Sequence, residues 1–265
     1  MTSDGDAVLR AFHRRHPGAS RQVFCGGRTA DGRTPYEVLV DGLPPAPGAV
    51  LDLACGDGTL LAHLDAATTR TGVDMSPEEL AVARERLGPG VRLVEARAEA
   101  LPLADGGQDV VVSHMALMLM GRVEEALAEV ARVLRPGGRF HFVVSGPAPD
   151  TPLQRAFREA LGAALRAEDV RLAVGDPRTR TREGWDELLA GAFEPPEVET
   201  VVTRRELEPG ALRDFLPLAF YPVELLSPAG REGLARALLD AVGDTGGAPL
   251  VWEAGCWLFR TRRRA

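Results

Sequence analysis

The run Val50-Leu51-Asp52-Leu53-Ala54-Cys55-Gly56-Asp57-Gly58-Thr59-Leu60 passes from an apolar strand through two glycines into a helical pattern. Glycines at such a junction let the backbone approach a ligand closely, and the helix that follows turns its N-terminal N–H groups toward it. A chain organised around this junction is expected to hold a nucleotide-like ligand at the carboxyl end of a parallel strand. A dinucleotide fingerprint asks for a third glycine three residues after the second. Leu61 stands there, which weakens a nicotinamide reading.

The flanking sequence repeats the rhythm of strand then helix. Short apolar runs at 50–53, 71–73, 91–94, 110–112 and 140–144 read as buried parallel strands. Helical patterns at 60–64, 77–87 and 123–134 separate them, the last with Val123, Leu127, Val130 and Leu134 on one face. This alternation predicts an α/β fold, a doubly wound and mostly parallel sheet covered on both sides. Three segments share a helix-start signal: Thr34-Pro35-Tyr36-Glu37, Ser76-Pro77-Glu78-Glu79 and Thr151-Pro152-Leu153-Gln154. Each offers a hydroxyl N-cap, proline in the first turn and a carboxylate or amide expected to reach back to the cap. Ser227-Pro228 is a weaker fourth start. After Val144 the rhythm changes to a long helix from Pro152, another near 185–190, a strand near 198–203, helical sequence to about 242 and a final strand at 251–259.

Composition narrows the chemistry. The 265 residues suit one domain with insertions. A net charge of −7 argues against a nucleic-acid partner, which requires a positive field. The basic cluster at 260–264 reads as a solvated tail. Cys25, Cys55 and Cys256 lack metal-ligand spacing, so no metal is expected and a reduced, cytoplasmic protein is. No apolar run approaches the length of a membrane span. The chain contains no lysine, which excludes Schiff-base chemistry, pyridoxal phosphate anchoring and the P-loop. Isoleucine and asparagine are missing as well, the coding signature of a GC-rich genome.

The second predicted strand ends in Gly72-Val73-Asp74, roughly 20 residues beyond the first, where a carboxylate can accept from both hydroxyls of a ribose. The alternative is an aspartate that merely opens the turn before Ser76. The glycine loop, Gly72-Val73-Asp74-Met75-Ser76-Pro77, Ala98-Glu99-Ala100-Leu101-Pro102 and Leu134-Arg135-Pro136-Gly137-Gly138 occur in this order. Over residues 48–144 the chain thereby resembles the class I S-adenosylmethionine-dependent methyltransferases, in the small-molecule branch that includes the ubiquinone-biosynthesis type.

The resemblance implies a seven-stranded sheet with an antiparallel last strand, S-adenosylmethionine as cofactor and a small-molecule acceptor. It implies that Asp52, Ala54, Gly56 and Gly58 border the methionine part of the cofactor and that Asp74 holds its ribose. Met75 is then expected to pack on adenine, the backbone at Ala98 to meet the adenine edge, and Ser113 and His114 to line the same crevice. Two positions depart from the pattern. Alanine replaces the common glycine at Ala54, and Arg97 stands where an aspartate usually accepts from the adenine amine. Arginine cannot accept. Glu99 either takes over that task or is solvated. The N-terminal stretch 28–36 is expected to close over the site, with Arg28 and Tyr36 as contacts.

Methyl transfer from a sulfonium is a direct displacement, so alignment and exclusion of water dominate. A protonated nucleophile also needs a base, and histidine suits neutral pH. His114, at the end of the fourth strand, is either that base or a residue that offers only its backbone. His141 reads as a core histidine, His13 and His16 as surface residues of an N-terminal helix, and His63 as structural. Residues 1–47 form a helical cap in this reading, 48–144 the cofactor core, and 145–183 with 205–247 a helical lid. The run 215–223, including Tyr221 as a catalytic candidate, either walls an acceptor pocket or forms the lid's own core. Ser113-His114-Met115-Ala116 stands where DNA and protein-glutamine methyltransferases carry Asn or Asp before Pro-Pro-Tyr, which leaves metabolites, including those of secondary metabolism, as acceptors. The alternatives are a reaction on the same fold without methyl transfer, such as cyclisation, and a non-catalytic binding subunit.

Overall fold

The computed structural model describes residues 3–45, 47–243 and 248–265. Seven strands form one sheet: β1 (Ala49–Leu53), β2 (Thr69–Asp74), β3 (Arg92–Glu95), β4 (Gln108–His114), β5 (Leu134–Ser145), β6 (Glu197–Leu207) and β7 (Leu250–Arg262). Their order is β3-β2-β1-β4-β5-β7-β6, and every pairing is parallel except the two made by β7. The sheet and its antiparallel last strand agree with the expectation. Succession reverses on the two sides of β1, so the carboxyl ends of β1, β2 and β4 open a crevice at the switch point.

Strand periodicity distributes the core between two faces. Leu51, Leu53, Val111, Phe140, Phe142 and Val144 pack on α6 (Val123–Val133) and α8 (Arg182–Leu189), whose Trp185 is fully buried and donates its indole N–H to Thr179 O at 3.0 Å. Val50, Val110, Val112 and Val143 pack on α3 (Pro35–Asp41), α4 (Thr59–Ala62) and α5 (Pro77–Leu87). Alternate residues of one strand thus serve opposite layers. A third apolar cluster joins α7 (Pro152–Ala167), α9 (Leu212–Ala219), α10 (Tyr221–Glu224) and α11 (Pro228–Val242) to Leu207, Leu250 and Trp252. Phe215, Leu216 and Val223 belong to it, so most of the 215–223 run is core of the helical insertion. Strand β6 continues to Leu207, past the position 205 at which the second insertion was expected to start, and residues 244–247 of that insertion lie outside the described residues.

Two helix starts use their capping partners in an unexpected way. Thr34 and Glu37 make the full reciprocal box. Ser76 and Thr151 cap their helices, yet Glu79 and Gln154 do not reach back. Gln154 donates to Glu253 O on β7. The Ser76 N–H donates to Asp74 instead, which releases Glu79 for other contacts. The basic cluster is not a free tail either: β7 runs to Arg262, Arg260 pairs with Glu199 at 2.9 Å, and the Arg263 guanidinium donates to Leu134 O. Strand pairing of the backbone holds these arginines in place. Among the described residues no helix is long and apolar enough to cross a membrane.

Candidate functional site

The turn after β1 uses three consecutive constraints. Ala54 and Gly56 have φ of 58° and 51°, and Gly58, the N-cap of α4, has φ of 73°. The first costs an alanine strain that glycine avoids, which explains why glycine is usual there. A Cβ on Gly58 would lie 2.5 Å from Leu87 Cδ1, so this glycine serves helix packing. Asp57 pins the turn from beneath. It accepts from Thr59 N–H at 3.2 Å and from Arg21 and Arg86 at 2.8 and 3.2 Å.

Asp74 closes the turn from β2. Its Oδ2 accepts from Gly56 N–H and its Oδ1 from Ser76 N–H, both at 2.8 Å. Burial raises its carboxyl pKa, partly offset by these two N–H donors. A carboxylate offers about four lone-pair sites, so two stay available toward the crevice. That arrangement fits a ribose diol.

The crevice encloses about 920 Å³, counting the solvent at its mouth. Ala54, Gly56, Asp74, Met75, Ala98 and Glu99 are among the residues that line it. Glu99 is held by Arg97 at 3.0 Å, and Arg97 also pairs with Asp6 at 2.8 Å. Arg97 therefore ties Glu99 at the crevice wall to Asp6 on α1 (Gly5–Arg15). His114, Met115 and Tyr221 line the crevice too, Met115 in the left-handed region with φ of 56°.

Five expected contacts are placed elsewhere. Asp52 is 1% exposed beneath the loop, its Oδ2 without a hydrogen-bond partner, and burial lifts its pKa well above the ordinary range. The Ser113 hydroxyl donates to Leu53 O at 2.9 Å and so ties β4 to β1. Gly58 faces α5. Tyr36 is buried behind His114, ring centroids 4.1 Å apart. Arg28 turns its guanidinium to Cys25 O and Gly27 O at 2.5 and 3.0 Å, because its backbone is engaged with Arg204 beside β6.

His114 is wedged between Phe24 and Tyr36, with Nε2 buried and unpartnered. Burial lowers its pKa to about 3. His141, 3% exposed on β5, is a core histidine as read. The helix α1, followed by the short α2 (Ala19–Phe24), supplies what the sequence reading missed: Leu9, Arg10 and His13 line the crevice, with Leu9 and Phe12 anchoring the helix inward. The signal available was the apolar pair at i and i+3 beside His13. No group of three His, Cys, Asp or Glu among the described residues is arranged to hold a metal ion.

Comparison with known proteins agrees with this geometry. Residues 51–142 match the family model described as a methyltransferase domain. A malonyl-[acyl-carrier protein] O-methyltransferase of Enterobacter lignolyticus is 32% identical over 190 residues, covering 71% of this chain and 69% of that protein. The chain belongs to the class I S-adenosylmethionine-dependent methyltransferase family. A ubiquinone/menaquinone biosynthesis C-methyltransferase of Methylobacterium nodulans is 40% identical to this methyltransferase over 144 residues, 50% of the chain and 56% of the relative. A malonyl-[acyl-carrier protein] O-methyltransferase of Methylococcus capsulatus and a demethylmenaquinone methyltransferase of Thermus thermophilus are matched over 60% and 51% of their own length. The crystal structure of the YcgJ protein from Bacillus subtilis shares the fold, with a TM-score of 0.60 and 21% identity over 86% of this chain and 97% of that one.

Proposed function

We propose that this methyltransferase transfers the methyl group of S-adenosylmethionine to a small-molecule acceptor. The observation that carries the reading is the Asp74 carboxylate, fixed by the Gly56 and Ser76 N–H groups and open to the crevice. When bound, the cofactor supplies an electrophilic methyl group on a positively charged sulfur. Asp74 accepts from the ribose hydroxyls, Ala54 and Gly56 bring the backbone close to the methionine part, and Met75 packs on adenine. Glu99, oriented by Arg97, accepts from the adenine amine beside the Ala98 backbone.

His114 contributes a dry wall. Its pKa of about 3 leaves it neutral at physiological pH, so it adds no positive charge near a sulfonium, and it is too weak a base to drive proton removal. Helix α1, through Leu9, Arg10 and His13, and Tyr221 of the helical insertion line the crevice and close the acceptor in against water. A place in secondary metabolism is consistent with the GC-rich coding signature.

The test is incubation with methyl-labelled S-adenosylmethionine and a metabolite extract. Label is expected in the small-molecule fraction, and calorimetry is expected to show binding of S-adenosylhomocysteine. An enzyme that binds neither form of the cofactor refutes the reading.

A further inference from the structure

Three side chains from three separate elements form an ordered series that runs from a buried carboxylate to the crevice. His13 on α1 has Nδ1 2.8 Å from Glu79 Oε1 on α5, and its Nε2 lies 3.3 Å from the hydroxyl of Tyr221 on α10. Glu79 is 2% exposed, and its second oxygen accepts from Gly18 N–H at 2.9 Å. It sits in the first turn of α5, where the helix N-terminus favours an anion. An ionised carboxylate can only accept, so the proton between the two belongs to Nδ1. In the Nδ1–H tautomer the ring's lone pair is on Nε2, turned toward Tyr221 and the crevice that both residues line.

Tyr221 is not a competing base. Burial, reinforced by the nearby carboxylates Glu79 and Asp74, raises its phenol pKa, so it donates to Nε2. At 3.3 Å that contact is longer than the usual O–H donation, and an incoming hydroxyl can share or displace it. Glu79 contacts His13 directly and Asp74 is coupled to it electrostatically, both stabilising positive charge on the ring once it forms, while Arg10 of the same helix lines the crevice with them.

We propose that His13, oriented by Glu79, is the proton acceptor of the reaction, and that the acceptor molecule presents a hydroxyl that is protonated at rest. This rests on the methyltransferase reading. The acceptor's O–H bond breaks, its proton going to Nε2 and its electron pair to the methyl carbon. The pair of the methyl–sulfur bond leaves with sulfur as a neutral thioether, and the imidazolium later returns its proton to water. Glu79 is a positioning residue, and Tyr221 marks where the hydroxyl docks.

The decisive measurement is ¹⁵N NMR of the histidine rings in the full chain saturated with S-adenosylhomocysteine near neutral pH. His13 is expected as the neutral Nδ1–H tautomer, and Glu79→Gln is expected to shift the population toward Nε2–H. His13→Gln is expected to leave S-adenosylhomocysteine affinity within about threefold. The same variant is expected to lower label transfer into the metabolite extract by on the order of a hundredfold. A wild-type His13 found as the Nε2–H tautomer or as an imidazolium overturns the assignment, and so does undiminished label transfer by His13→Gln. Failure of the wild type to bind S-adenosylhomocysteine would instead remove the methyltransferase reading itself.

Discussion

Replacing Asp74 by alanine separates ligand binding from loop architecture, because this carboxylate faces both. On the ligand side, two ribose hydroxyls lose a charged acceptor, each such bond contributing roughly 1.5 to 3 kcal/mol. Water in the open crevice recovers part of this. The expected loss is about 3 kcal/mol, on the order of a hundredfold in dissociation constant for S-adenosylmethionine and S-adenosylhomocysteine alike. On the protein side, the N–H groups of Gly56 and Ser76 lose their 2.8 Å acceptor. Both lie at the crevice wall, where water only partly replaces the carboxylate, so the stability cost is about 1 kcal/mol for each and about 2 kcal/mol together. That corresponds to a melting temperature lower by roughly 4 to 8 °C. Asp74→Asn retains one accepting oxygen and should fall between wild type and Asp74→Ala in both respects. Calorimetric titration and thermal unfolding on the same preparations provide the comparison. Unchanged affinity in a folded Asp74→Ala protein would refute the ribose assignment, and an unchanged melting temperature would refute the structural half.

Other expectations concern the backbone and the core. Ala54→Gly removes a left-handed strain of about 1 to 2 kcal/mol while adding about 0.5 to 1 kcal/mol of unfolded-state entropy, so chemical denaturation should show equal or slightly higher stability. A clear loss would contradict the φ of 58°. Gly72→Ala places a Cβ 2.8 Å from both Cys55 Sγ and Leu61 Cδ1, so overpacking of about 1 to 3 kcal/mol should appear as a lower denaturation midpoint. His141 has its pKa lowered to about 4, first by burial and then by Arg260, Arg139 and Arg262. Its neutral form is the folded one, so its contribution is present above the ordinary histidine pKa of about 6.5 and is lost as pH falls toward 4, by at most about 3 kcal/mol. His141→Leu should flatten stability across that window, and an unaltered acid limb would count against it.

What the sequence made legible was local. The strand apolar pattern, the glycine loop and Asp74 are read from neighbouring residues, and the structure brings the loop and Asp74 together at the carboxyl ends of two adjacent strands. Ser113 and Tyr36 were near the mark in chain position, but a hydroxyl bonded to Leu53 O and a ring behind His114 depend on contacts between elements. His13 was read as a surface residue because its partners stand 66 and 208 residues away. Glu79 misled for a related reason. Its spacing from Ser76 satisfies the capping-box pattern, yet Asp74 already occupies the Ser76 N–H, and no local rule reports that competition.

The place of β7 between β5 and β6 bears on the order in which the molecule can be made. Among the described residues β6 pairs within the sheet with β7 alone, apart from the isolated bridge to Arg28, and β5 has β7 as its outer neighbour. During vectorial synthesis residues 134–249 therefore emerge with one strand lacking its partner and another presenting an open edge flanked by Phe140, Phe142 and Val144. Pairing across that edge waits for residues 250–262 to clear the ribosome. Until then the nascent chain carries an unpaired, apolar strand edge of the kind that recruits other strands. The four parallel strands β1 to β4 can close on one another earlier, so the crevice floor is available for ligand before the sheet is complete.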